Sequence, residues 1–373
     1  MTKPLNKIEK LIAELCPAGV EVKSIGEICQ INRGRVMSKD YLRNNAGEYP
    51  VYSSQTVDDG VFGCINTYDY DGEYLTWTTD GANAGSIFYR NGKFSITNVC
   101  GLLKVKVVGV NTKFLLYILA TVSKQYVSAG MGNPKIMSNV MEKIEIAIPP
   151  LAIQQEIVNI LDTFTTLEAE LEAELEASKK QYAYYRDELL TFGEDVEWKT
   201  LGEVGKLIRG TAITAKETTD GEIPVVANAP KPVYFHSESN RSGETIVVAR
   251  SGAYAGLVSF WSQPIFLTDA FSVAPDAAKL KAKFVYYLLK QKQETIHSMK
   301  KGSGVPHVRV KDFESYSIPI PPLAEQKRIV AILDKFDALV NDISAGLPAE
   351  LNARRKQYEY YRNKLLSFKM VSG

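Results

Sequence analysis

The chain repeats itself. Residues 148–165 read IPPLAIQQEIVNILDTFT and residues 320–337 read IPPLAEQKRIVAILDKFD, identical at twelve of eighteen positions. KKQYAYYRDELLTF at 179–192 matches RKQYEYYRNKLLSF at 355–368 at nine of fourteen. The offset is 172 in the first block and 176 in the second, so the second copy carries four extra residues, around Ala345-Gly346-Leu347-Pro348. Fainter anchors run through the segments upstream: GVEVKSIGEICQINRG (19–34) against DVEWKTLGEVGKLIRG (195–210), GEYPV against GEIPV, DGANAG (80–85) against SGAYAG (251–256), and GMGNPKI (130–136) against GSGVPHV (302–308). A unit of ~175 residues far exceeds the period of a solenoid, so the repeat describes two domains and not a stacked array. Each is large enough to bury its own core.

The two matching blocks read as helices. After Pro149-Pro150, apolar residues recur in steps of three and four at Ile153, Ile157, Ile160/Leu161, Phe164, Leu167, Leu171, Leu175, Tyr182, Tyr185, Leu189 and Phe192. One face of a helix collects them, and Glu and Lys occupy the others. A continuous helix over ~40 residues would be ~60 Å long, and so long an apolar seam asks for a partner helix. The second block supplies one, through Ile329, Ile332/Leu333, Phe336, Leu339, Ile343, Tyr358, Tyr361, Leu365 and Phe368. Gly346 and Pro348 predict a break in that second helix that the first copy lacks. We expect an antiparallel coiled coil carrying two globular units, with ordinary packing of each helix on its own domain as the competing reading. The candidate spacer and partner-docking positions are Gln154, Ile157, Leu161, Phe164, Tyr182 and Tyr185 in the first block. Their counterparts are Gln326, Ile329, Leu333, Phe336, Tyr358 and Tyr361 in the second. The N-terminal segment Leu5–Leu15 lies upstream of the first unit as YYRDELLTF lies upstream of the second, and is expected to replace the missing helix end there.

The variable units read as mixed α and β. Short runs such as GEYPVYSS, YLTWTT, TIVVAR and LVSFW are rich in β-branched and aromatic residues and separated by Gly, Asn and Asp turns. One apolar helix, FLLYILATV or FVYYLLKQ, falls late in each unit. The division is therefore an N-terminal helix (1–18), a first variable unit (19–147), a first helical block (148–193), a second variable unit (194–319) and a second helical block (320–373). The fold class is α+β with a pseudo-two-fold internal repeat.

Glycine-rich loops recur at equivalent places in the two units, and none fits a GxGxxG or Walker A pattern. The loop before each Ile-x-Ile-Pro-Pro is the best candidate for phosphate contact, since backbone N–H groups there can approach closely. In the second unit it is also basic, with Lys300, Lys301, Ser303, His307, Arg309 and Lys311 around Gly302 and Gly304. The first unit offers Lys124 and Lys135, with Asn133 and Ser138 as polar readers; Asn83 and Tyr254 in the other loop pair complete the set.

Several chemistries lack their residues. Three histidines (His236, His297, His307) leave little for a metal centre, and four cysteines (Cys16, Cys29, Cys64, Cys100) form no CxxC pair. Buried free thiols in a cytoplasmic protein are the expected reading, with no metal site. The longest apolar run, Phe114 to Val122, is too short to span a bilayer. A formal net charge of +1 advertises no polyanion partner, so any nucleic-acid contact must come from local patches. A nuclease-like PD…ExK could be forced from Pro275-Asp276 and Glu325-Gln326-Lys327, but the first copy has Ile153-Gln154-Gln155 at the latter place. No adenine-methyltransferase N-P-P-Y motif is present, since Lys135 follows Asn133-Pro134. The chain reads as a binding and organising protein that is not an enzyme on its own.

Taken in order, VEWKxLGEV, IPPLAEQ and KQYEYYR resemble the specificity (S) subunit of type I restriction–modification systems, over essentially the whole chain. That resemblance implies two target-recognition domains, each reading one half of a split site on double-stranded DNA. It implies helices that act as a spacer and dock two methyltransferase (M) subunits, with restriction (R) subunits added through them. No cofactor would be bound by this chain; S-adenosylmethionine would belong to the M subunits and ATP with Mg to the R subunits. Methylation of adenine would likewise be the M subunits' work. The reading from another class is a scaffold joining two protein partners without touching DNA.

Overall fold

The computed structural model describes residues 7–128, 132–301 and 306–371. The chain divides into two compact units, Met1–Glu170 with Leu351–Gly373, and Leu171–Glu350. This is not the linear division read from the repeat. The helical blocks form no separate body: each unit takes half of one block and half of the other.

The first unit begins with helix α1 (Lys7–Leu15), strand β1 (Glu21–Ser24), the single turn α2 (Ile25–Ile28), β2 (Cys29–Arg33) and α3 (Lys39–Asn44). There follow β3 (Ala46–Tyr52), β4 (Val61–Ile65), β5 (Tyr70–Thr78), β6 (Ile87–Ile96) and β7 (Cys100–Val105). Then come α4 (Thr112–Val122), the single turn α5 (Ser138–Met141), β8 (Glu145–Ile148) and α6 (Leu151–Leu189). One six-stranded sheet runs β2-β7-β5-β6-β3-β4, and β1 pairs separately with β8. Leu75, Trp77 and Leu103 of the sheet meet Phe114, Leu115 and Ile118 of α4, and Ile153, Ile157 and Leu161 of α6 close the same core.

The second unit repeats that layout with β9 (Trp198–Thr200), α7 (Leu201–Val204), β10 (Gly205–Arg209), β11 (Ile223–Val226), β12 (Tyr234–His236) and β13 (Thr245–Ala249). It continues through β14 (Val258–Trp261), β15 (Phe266–Leu267), β16 (Ala270–Pro275), α8 (Ala282–Gln291), α9 (Gln293–Ser298), α10 (Val310–Glu314) and β17 (Ser317–Pro319). The helices α11 (Leu323–Asn341) and α12 (Leu347–Leu365) end the chain's regular structure. The strand order β10-β16-β13-β14 copies β2-β7-β5-β6, while β12-β11-β15 stands as a sheet of three. The parallel pairing of β11 with β15 repeats that of β3 with β6. The long β6 of the first unit is thus divided in the second into β14 and β15. Pro264 lies in the interruption, at the place Lys93 holds in β6; without an N–H it cannot join a ladder.

The expected strands and late helices are present, and α6 is unbroken over 39 residues. The second block breaks as predicted, between Asn341 and Leu347. Gly346 sits in that corner, where a Cβ would come within 2.3 Å of the Ala338 carbonyl oxygen. Pro348 falls in the first turn of α12, where its missing N–H costs nothing.

Each unit contains an antiparallel helix pair drawn from opposite copies of the repeat. In the first, Phe164 of α6 stacks on Tyr361 of α12 at 5.6 Å and lies 6.3 Å from Tyr358. In the second, Phe336 of α11 stacks on Tyr182 and Tyr185 of α6 at 6.1 and 5.6 Å. One expectation is corrected here. The helix end standing against the first unit, where YYRDELLTF stands against the second, is α12 and not the N-terminal segment. Phe368 packs on Phe114 (6.4 Å) as Phe192 packs on Phe284 (6.1 Å), and the main chain at Met370 bridges to Val20. α1 packs beside it, burying Ile8 in the same core. The thiols also need correction: all four are free, but Cys64 is exposed and Cys16 only half-buried. Burial pushes the Cys29 and Cys100 thiols up to about 12. Among the described residues no helix is long and apolar enough to cross a membrane.

Candidate nucleic-acid interface

In both units the two glycine-containing loops singled out in the sequence lie side by side, joined by the same hydrogen bonds. The turn after β5 closes through Gly85 N–H to the Thr78 carbonyl (2.9 Å) and Ala84 N–H to the Gly81 carbonyl (3.0 Å). The turn after β13 closes identically, Gly256 to Ala249 (2.8 Å) and Ala255 to Gly252 (3.1 Å). Gly81, Gly85, Gly252 and Gly256 all have φ between 76° and 89°, a backbone that only glycine adopts readily. The second loop lies along the first through Gly81 N–H to the Pro134 carbonyl (3.0 Å) and Ile136 N–H to the Thr79 carbonyl (2.9 Å). Its counterparts are Gly252 to Pro306 (3.1 Å) and Val308 to Arg250 (2.9 Å). The frame is common to both units, and the side chains it presents are not: Asn83 against Tyr254, Lys135 against His307, Thr79 against Arg250.

In the first unit Asn83 is exposed at the tip of its turn and donates to Thr56 Oγ1 (3.1 Å). Asn133 and Lys135 are exposed beside it, with Lys124. Ser138 differs from expectation: its hydroxyl is buried and without a hydrogen-bond partner, so it presents nothing to a ligand. In the second unit Tyr254 is 48% exposed. Lys301 pairs with Asp312 at 3.0 Å and Lys300 donates to the Ala253 carbonyl at 3.2 Å, so both are engaged inside the unit. Arg309 and Lys311 are exposed, and neither side chain is held by a hydrogen bond or ion pair to the described residues. Ser303, Gly302 and Gly304 lie outside the described residues.

His307, Arg309 and Lys311 line a cavity of about 370 Å³ together with Arg209 and Arg250. These two arginines were missed as site residues. Arg250 is oriented by Asp269 (3.1 Å), whose carboxylate also accepts from Asn228 (3.2 Å) and from Ser251. Three arginines and a lysine line the cavity, and Asp269 pairs with only one of them, which makes a surface suited to phosphate. Arg209 did carry a signal, because Arg-Gly recurs at 33–34 and 209–210. In the first unit Arg33 donates to Thr79 Oγ1 (3.1 Å) and to the Asn98 carbonyl. Arg250 carried none, since the first copy has Thr79 there. The forced nuclease pattern dissolves: Asp276 caps the Ala278 N–H (3.0 Å) and Glu325 pairs with Arg328 (2.6 Å).

Residues 17–177 and 193–353 each match the family model of the type I restriction modification DNA specificity domain. The chain belongs to the type I specificity-subunit family. A type I specificity subunit of Mycoplasma pneumoniae is 34% identical over 363 residues, covering 94% of this chain and 98% of its own. Another from the same organism is 36% identical over 328 residues, covering 82% and 97%. The crystal structure of a type I restriction–modification S subunit from M. genitalium shares the fold with a TM-score of 0.68 at 18% identity, over 93% of this chain and 96% of that one.

In this specificity subunit the repeated text IPPLAxQ has a structural use that the sequence reading did not foresee. Gln154, fully buried, donates to the carbonyls of Gly109 (2.8 Å) and Pro149 (2.7 Å) and accepts from Asn111 N–H (2.8 Å). Gln326 does the same with Lys279, Pro321 and Lys281, all at 2.8 Å. Two turns further on, Asp162 accepts from Tyr117 (2.6 Å) and Lys113 (2.6 Å), and Asp334 from Tyr287 (2.6 Å) and Lys283 (2.9 Å). Ile157, Leu161, Ile329 and Leu333 are at most 1% exposed inside the cores of their own units. These four and the two glutamines therefore join helix to domain and offer no surface to a partner. Phe164, Tyr182, Phe336, Tyr358 and Tyr361 make the helix–helix contacts, and Tyr185 combines stacking on Phe336 with 38% exposure.

Proposed function

We propose that each unit reads one half of an asymmetric, bipartite site on double-stranded DNA, while the paired helices set the gap and dock two methyltransferase subunits. Restriction subunits join through these. The observation that carries this reading is the shared loop frame presenting different side chains in the two units. One frame fixes how a duplex is held, and Asn83 with Lys135 in one copy and Tyr254 with His307 in the other read different base edges. In the second unit Arg209, Arg309 and Lys311 supply phosphate contacts. The chain is non-catalytic and works in the cytoplasm; S-adenosylmethionine is held by the methyltransferase subunits and ATP with Mg by the restriction subunits. Flipping the target adenine out of the stack falls to the former, with this chain holding the duplex.

The test is to assemble the chain with its methyltransferase partner and map both methylated adenines and protected DNA. Two short sequences separated by a fixed gap are expected. Uniform protection of random DNA, or none, would favour a scaffold that joins proteins only. Replacing Arg309 and Lys311 by glutamine should lower affinity for all sequences and flatten its dependence on log salt by about one unit per lost phosphate contact. Sequence preference should survive.

A further inference from the structure

The hairpin loop between β3 and β4 contains Asp58 at φ 50° and Asp59 at φ 53°, the only non-glycine residues with positive φ among the described residues, followed by Gly60 at φ 79°. Three consecutive left-handed residues do not persist in a surface loop on local preference alone, and such strain gathers where the surroundings over-determine it. Arg90 on β6 is what holds them. Its side chain is 2% exposed, and its guanidinium lies 3.6 Å from the centre of the Tyr52 ring. Nε donates to Thr76 Oγ1 (3.3 Å), Nη2 to the Asp59 carbonyl (2.7 Å) and Nη1 to the Asp59 carboxylate. Gly60 packs on the same group: a Cβ there would stand 3.2 Å from Nη2 and 3.0 Å from the Gln55 carbonyl oxygen. At its near end the loop reaches the reading turn, where Thr56 Oγ1 accepts from Asn83.

The second unit solves the same place differently. Trp261 stands where Arg90 stands, and its hairpin loop is tied to the reading turn by Asn228 Nδ2 to Ser251 Oγ at 3.0 Å. A tryptophan fills volume; an arginine adds directional control of the Asp59 backbone and carboxylate. The clamp is therefore private to the first unit.

We propose that Arg90 is a positioning residue for recognition by the first unit: by fixing the Val57–Gly60 turn it holds Thr56 against Asn83, and so sets the base preference of one half-site without touching DNA. This rests on reading each unit as a half-site reader. The full chain, assembled with its methyltransferase subunits, is offered a DNA library randomised over both half-sites, and the methylated fraction is sequenced. The variants are Arg90→Gln, Arg90→Lys and Gly60→Ala. Gly60→Ala disturbs the turn from outside the sheet, so it carries the test if the arginine variants do not fold. Discrimination at the first half-site is expected to fall at least tenfold in Gly60→Ala and Arg90→Gln, and less in Arg90→Lys, with the second half-site unchanged. Unaltered preference in folded Gly60→Ala would overturn the proposal, as would equal loss at both half-sites. If the unsubstituted complex selects no bipartite sequence, the functional reading itself falls, and this shows before any substitution is made.

Discussion

Gln154 and Gln326 each make three hydrogen bonds through two polar side-chain atoms, and both are fully buried. Replacing Gln154 by alanine leaves the Asn111 N–H and the Gly109 and Pro149 carbonyls short of a partner. At ~1–3 kcal/mol for each buried group left unsatisfied, a loss of about 2–4 kcal/mol is expected, allowing for partial relaxation. Thermal unfolding of Gln154→Ala beside Gln154→Glu distinguishes this from a packing effect. Glutamate keeps the shape but turns a second acceptor toward two carbonyl oxygens, so it should be as damaging as alanine; full stability in Gln154→Glu would contradict the account. Both glutamines sat in the most legible part of the repeat, yet their use was misread. Periodicity reports which face of a helix is apolar, and a glutamine on that face looks like an interface polar group until the loop carbonyls it caps are seen.

At the scale of elements, α6 is the member that belongs to both units, its first twenty residues to one and the remainder to the other. Four residues inserted between Glu172 and Glu176 add roughly 6 Å of helix and a little over one turn. If the helices set the gap, methylome mapping should show a changed spacing between unchanged half-sites; altered half-sites with an unaltered gap would rule this out. The helices, their break at Gly346 and the main strands were legible because apolar spacing and Gly-Pro punctuation are local signals. The shared loop frame was only half legible. Sequence showed glycine loops recurring at equivalent places, but the bonds joining Gly81 to Pro134 and Gly252 to Pro306 span more than fifty residues. Arg250 was invisible for the opposite reason, since nothing in a lone arginine after a strand announces Asp269 beside it. The split of β6 into β14 and β15 hangs on Pro264, one residue in a region where the copies share almost nothing.

At the scale of the molecule, each unit is completed by a helix from the other copy of the repeat. For the second unit that helix is upstream and continuous with it; for the first it is α12, some two hundred residues later in sequence. A chain ending at Glu350 should therefore retain a protease-resistant second unit while the first, lacking Tyr361, Leu365 and Phe368, exchanges its amide hydrogens rapidly. Equal protection of both units in that truncation would refute the assignment. The same closure bears on synthesis. Domains ordinarily fold in the order they leave the ribosome, at ~5–20 residues per second. Here the order is inverted: every residue of the second unit is translated before Leu351, and the unit begun first is the last to be sealed. For those seconds its half-formed core is the stretch most in need of a chaperone.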